Sequence, residues 1–508
     1  MVHKDTFLKL GLSAIFLIIC SLLFILFIQV KFLRIMADEK YFLYFAYSGL
    51  TELTEFKAAE YPYAAFSKLH VFLLSLFNLK DLKEVVYGSK LFSSIPLFLV
   101  FFGLIYSFFC YSKKPWDIWF FTLLSLIILL VFSTTGRIVE CRPDALSIPL
   151  YCAANLIICY RIKRSKTWHL DILAGILLIF TAWISIRAAI IILVMLPIYI
   201  YILRGRFSTE PRHILSMMCI FIGFIIMLII GFNINPIDIV SLMRSPEASL
   251  ARTELSFKVK ILQPNRLTLL AFQMLIGILA ILIIKTSNCK AQRSIGLLGL
   301  SLIIVQFIFI VLDPAPFLYS YSYGLSGVLV VIVAILDMPK LKGVLLMLSI
   351  SLGGLQSMHV LAAKNYHFGR SIHAAPIKNI DVNYQDFALP DLLDIYLKSG
   401  QWHTKDQIAI RQVLCNKIKG KLISRFSYQP ICIAGALDIE SYTIFMTNPK
   451  INREEPVLNV IIKAIKLQDT EVIIWGRHKL NPHIYNTLDS LPDWTLYNGF
   501  ALRDIKDK

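Results

Sequence analysis

Two adjacent carboxylates, Asp38 and Glu39, stand directly beyond the first long apolar stretch, Leu8 to Val30. A carboxylate that is ionised at working pH and within hydrogen-bond reach can take the proton from an acceptor hydroxyl as a new bond forms. The same pair also suits the positive end of a helix, and the two readings are compatible. A second constellation runs from Thr134 through Gly136, Arg137, Glu140, Cys141 and Arg142 to Pro143 and Asp144. Pro143 disfavours an α conformation at Arg142 and suits a first helical turn, so a helix is predicted to start there with Arg142 just before it. Free amides flanked by guanidinium forks make a receptor for phosphate oxygens, such as those of an anionic lipid headgroup. The plainer alternative is that Arg137 pairs with Glu140 and Asp144 caps the helix. Arg187 lies between the apolar runs Ile172 to Ile186 and Ala188 to Leu203. Together these exceed one membrane span, which places Arg187 at the tip of a tight hairpin, either snorkelling to the surface or turned inward to hold an anion. Lys68 and His70 lie on a Phe-rich helical surface and read as a satisfied interfacial pair supporting the site.

The elements that must position these residues are apolar helices. Hydrophobic residues make up 57% of the 508-residue chain and the mean hydropathy is +0.67, which excludes an ordinary soluble protein. Stretches of roughly 20 apolar residues, the length that crosses a bilayer core, recur almost to Leu361. Eleven spans are expected, near 8–30, 90–111, 117–134, 144–160, 170–186, 188–203, 213–233, 267–285, 294–312, 323–338 and 341–362. The first is too long for a cleavable signal and lacks a small-x-small site, so it should remain as an anchor. Alternate loops collect Lys113, Lys114, Arg161, Lys163, Arg164, Lys166, Arg204, Arg206, Lys285, Lys290, Lys340 and Lys342 on one side, which is therefore read as the cytoplasm together with the N-terminus. Much of the net charge of +18 is explained by this bias, and it gives no reason to invoke nucleic acid. Asp38, Arg137, Arg142 and Arg187 then share the outer side.

Two domains are expected: 1–362 in the membrane, with an outer loop at 31–83 carrying interfacial helices over Lys40 to Phe45 and Ala64 to Phe77, and an outer soluble α/β domain at 363–508. In the latter, Ile431 to Ala434, Glu471 to Trp475 and Trp494 to Leu502 read as strands, and Asp391 to Lys398 and Val457 to Lys466 as helices. There is no Gly-rich phosphate loop. The nine cysteines show no metal-ligand spacing, although Cys415 and Cys432 could pair in an oxidising compartment. No cofactor is expected. Carboxylates could hold a divalent metal, but no set of oxygen ligands is readable.

The order of these motifs resembles the GT-C superfamily of membrane glycosyltransferases, in particular the bacterial branch of aminoarabinose transferases related to protein O-mannosyltransferases. The resemblance rests on Ala37-Asp38-Glu39 after the first span, Tyr61-Pro62-Tyr63 entering a loop helix, Gly136-Arg137 through Arg142-Pro143-Asp144-Ala145-Leu146 before the fourth, and Ser185-Ile186-Arg187-Ala188 at the hairpin. It covers about residues 1–340. Two departures are Glu140-Cys141 before Arg142, and Tyr319-Ser320-Tyr321-Ser322-Tyr323 where relatives carry basic or aromatic residues of a late outer loop. The resemblance implies inverting transfer of a sugar from a polyprenyl-phosphate carrier to a lipid, glycan or protein acceptor on the outer face of a bacterial inner membrane. It gives Asp38 the role of base, Glu39 that of orienting it or the donor, and Arg137, Arg142 and Arg187 that of holding the leaving phosphate. A transporter or flippase of a lipid-linked or anionic substrate is the competing class.

Overall fold

The computed structural model describes residues 13, 16–17, 19–21, 64–79, 82–111, 115–135, 141–163, 168–207, 264–312, 318–336, 338–362, 383–398, 405–418, 421–424, 437–438, 470–474, 482–497 and 500–504. The expected span at 213–233, most of that at 8–30, the segment Lys40 to Phe45, the strand Ile431 to Ala434, the helix Val457 to Lys466 and a Cys415–Cys432 pair lie outside them.

The chain is mostly helical. In order come α1 (Ala64–Leu76), α2 (Leu82–Tyr111), α3 (Pro115–Thr135), α4 (Pro143–Lys163), α5 (Trp168–Ile184), α6 (Ile186–Phe207), α7 (Pro264–Thr286), α8 (Lys290–Leu312), a 3-10 helix (Leu318–Gly324), α9 (Leu325–Ile335) and α10 (Pro339–Ala362). Apolar residues ring most of these helices, so each buries one side against its neighbours and exposes the other. Leu193, Leu196, Ile278, Ile308 and Met347 are exposed, an arrangement that suits lipid rather than water. Among the described residues four stretches are long and apolar enough to cross a membrane: Tyr87–Ile105, Pro143–Ile162, Arg266–Thr286 and Lys290–Leu312.

Side-chain bonds between helices show which ends meet. Arg161 at the end of α4 grips Asp171 at the start of α5 through Nε and Nη2 at 2.8 Å. At the other end of the pair, Ser185, the single residue between α5 and α6, donates to Asp144. Helix α6 then runs back beside α4, because Tyr199 reaches Asn155 at 2.9 Å. The expected hairpin with Arg187 at its tip is therefore what the chain forms.

Three buried glutamines fasten the second half. Gln273 of α7 donates to the Tyr321 carbonyl, Gln292 of α8 to that of Ala334, and Gln306 of α8 to that of Ser320. These bonds set α9 antiparallel to α8 and fix the 3-10 helix at the Asp144 end. Lys342 of α10 pairs with Asp117 of α3 at 2.8 Å, so both helices start at the opposite end.

The expected span 323–338 corresponds to the last two residues of the 3-10 helix followed by α9. In the C-terminal region α11 (Leu389–Lys398) and α12 (Lys405–Lys417) precede a five-stranded sheet ordered β2-β1-β3-β5-β4. The strands are β1 (Lys421–Ser424), β2 (Leu437–Asp438), β3 (Thr470–Ile474), β4 (Trp494–Leu496) and β5 (Phe500–Arg503), and helix α13 (Pro482–Asp489) falls between β3 and β4. β1, β2 and β3 are parallel, while β5 pairs antiparallel with β3 and β4. The stretch Trp494 to Leu502, expected as one strand, turns back on itself as β4 and β5. Leu392, Leu393, Tyr396, Val472 and Phe500 share one buried apolar cluster with Cys141, Leu146, Leu150 and Ile184, so this region is continuous with the Asp144 end of the bundle.

Candidate functional site

The site is built on the first turn of α4. The Leu146 N–H donates to the Arg142 carbonyl, which makes Arg142 the residue before the helix and Pro143 its first residue, where a missing N–H costs nothing. Asp144 follows at the second helical position. Its carboxylate bonds do not lie along its own helix as a cap would require; they bridge to three other residues. Oδ1 accepts from the Tyr323 hydroxyl at 2.9 Å and from Ser185 at 3.1 Å, and Oδ2 faces Nη1 of Arg187 at 3.5 Å. The Tyr323 hydroxyl also meets Ser147 at 2.8 Å and Ser185 at 3.1 Å.

Every member is buried, with Arg142 5%, Asp144 2% and Arg187 8% exposed. Two buried arginines, Arg142 just before the helix and Arg187 on Asp144, therefore stand at a helix N-terminus, a position that favours anions. Arg266 at the start of α7 lies at the same end, its guanidinium 5.6 Å from the centre of the Tyr321 ring. Below the cluster, Ser147, Tyr151 and Asn155 recur every four residues on one face of α4, and Tyr199 bonds to both of the latter two.

Of the residues singled out in the sequence, Asp144 and Arg187 come together, and Arg142 is buried two residues before Asp144 in the chain. Asp38, Glu39, Arg137 and Glu140 lie outside the described residues, as does the side chain of Lys68. His70 is buried between α1 and α2: its Nε2 lies 3.1 Å from the Ser93 hydroxyl, 3.3 Å from the Ser89 carbonyl and 3.8 Å from Cys141 Sγ. It thus braces the segment that leads into Arg142. No group of three or more metal-ligating side chains is found among the described residues.

Sequence reading missed Ser147, Ser185 and Tyr323 as site residues. The available signal was the alternation of hydroxyls in Leu318–Gly324 immediately before the mostly apolar α9, since buried hydroxyls need partners. Compared with protein families, with curated protein sequences and with solved structures, the chain shows no match.

Proposed function

We propose that this protein is an integral-membrane glycosyltransferase that takes a sugar from a polyprenyl-phosphate carrier and passes it, with inversion, to a hydroxyl of a lipid, glycan or protein. The single observation that carries the reading is the buried Asp144–Arg187 pair at the N-terminus of α4, with buried Arg142 just before that helix, a set of charged groups at one end of an apolar bundle. The acceptor oxygen attacks the anomeric carbon as the bond from that carbon to the phosphate oxygen breaks. The acceptor's proton passes to Asp38, which Glu39 helps to orient. Arg142 and Arg187, with Arg137, stabilise the charge that grows on the departing phosphate. No nucleotide is needed, because the carrier's own phosphate bond supplies the driving force.

The basic residues Arg161, Lys285, Lys290 and Lys342 gather at the bundle end opposite the site. By the positive-inside rule this supports a cytoplasmic placement of that end, with the site and the C-terminal sheet on the periplasmic face of a bacterial inner membrane.

The test is transfer of labelled sugar from a panel of polyprenyl-phosphate donors to membrane extract by the purified protein. Arg142→Ala is expected to slow it by about 30- to 1000-fold, corresponding to roughly 2–4 kcal/mol of barrier, and Asp38→Asn by at least as much. Near-normal turnover in either folded variant removes that residue from the mechanism. A transporter or flippase is the second reading, favoured by the polar face Ser147, Tyr151 and Asn155, which runs roughly 12 Å along α4 at 1.5 Å per residue. Flux of a lipid-linked substrate without transfer would select it.

A further inference from the structure

We propose that Tyr323 is a positioning residue whose hydroxyl, with Ser185, holds Oδ1 of Asp144 and so keeps Oδ2 from closing fully on Arg187; the inference rests on Arg187 being a phosphate ligand. A charge-assisted N–H···O bond usually closes to about 2.7–2.9 Å. The Arg187 to Asp144 contact of 3.5 Å is longer than this, although both groups are buried and have every electrostatic reason to approach. The opposing pull is visible on the other oxygen. A carboxylate only accepts, so the phenol must donate its single hydrogen to Oδ1. Ser147, 2.8 Å from the phenol oxygen, then donates to it from α4, while the Gln273 bond to the Tyr321 carbonyl anchors the 3-10 helix that carries the ring. An arriving phosphate oxygen exchanges a long contact at Nη1 rather than a closed ion pair.

Removing the phenol should release the carboxylate toward Arg187. Tyr323→Phe keeps the ring, whose centre lies 6.3 Å from that of Tyr151, and removes only the clamp. The probe is a short-chain polyprenyl monophosphate titrated into the purified protein in detergent, with sugar transfer measured in parallel. Tyr323→Phe is expected to weaken binding of the probe, and to raise the donor KM, by about tenfold, while kcat falls much less. Adding Asp144→Asn should bring binding back toward the wild-type value, because the competing charge is then gone. Ser147→Ala, which leaves the phenol and carboxylate in place but loosens their alignment, should shift binding in the same direction by a smaller factor and serves if Tyr323→Phe fails to fold.

Equal binding by wild type and Tyr323→Phe overturns the proposal, as does a double variant that binds more weakly than either single one, the mark of a merely structural role. Absence of binding by the wild type overturns it too. Binding that responds as expected, with no sugar transferred from any donor, leaves the positioning role standing and rejects the glycosyltransferase reading alone.

Discussion

Asp144 and Arg187 form a buried ion pair in which each partner makes the other tolerable. Removing one charge from such a pair strands the other in an apolar interior, which typically costs about 3–5 kcal/mol. Asp144→Ala is expected to fall in that range by denaturant unfolding in detergent, and Arg187→Ala to behave alike. The double variant should lose clearly less than the sum, because no stranded charge remains. Additive losses would show that the two side chains do not act on each other. Arg142 differs in kind: it precedes the helix rather than standing inside it, so its truncation should be read in transfer rate more than in unfolding.

At the scale of elements, the 3-10 helix and α9 hold the site only if α8 and α9 lie close. Glycine makes that approach possible. A Cβ on Gly327 would stand 2.8 Å from the Gly299 carbonyl and 2.7 Å from Ile303 Cγ1, and one on Gly299 would stand 2.6 Å from Val331 Cγ2. Gly327→Val should therefore separate the helices, costing about 1–3 kcal/mol by overpacking. It should also lower transfer by displacing Tyr323, although the substitution touches no site residue. Unfolding and transfer measured on the same preparation check this, and unchanged values for both would mean that the helices do not meet there.

For the whole molecule the decisive question is orientation. Cys289, between α7 and α8, is exposed at the end away from the site, while Cys20, Cys141, Cys152 and Cys159 are buried. In a variant keeping Cys289 and replacing the other eight of the nine cysteines by Ser, a membrane-impermeant maleimide should label inverted vesicles and spare intact cells. Labelling of intact cells would invert the assignment and place the site in the cytoplasm. The shared apolar cluster between Leu146, Ile184, Leu392 and Phe500 further ties the C-terminal sheet to the site end, so both should report the same side.

The helical class, the start of α4 at Pro143 and the reversal near Arg187 were legible in the sequence, because apolar length, proline geometry and an isolated charge act locally. The helix over Ala64–Leu76, strand β3 and α11 were legible for the same reason of periodicity. Helix α12 was not, since its charged and polar residues, among them Lys405, Asp406, Arg411 and Lys417, blur the apolar pattern. Nor was the partner of Asp144: Tyr323 lies 179 residues away, and only the packing of α8 and α9, fixed by glutamine amides and glycine contacts, brings its hydroxyl to the carboxylate. Local composition thus determined which segments became helices and where their charges stood. Tertiary structure decided which buried polar groups share hydrogens, because a hydroxyl far along the chain can satisfy a carboxylate only once the intervening helices have packed.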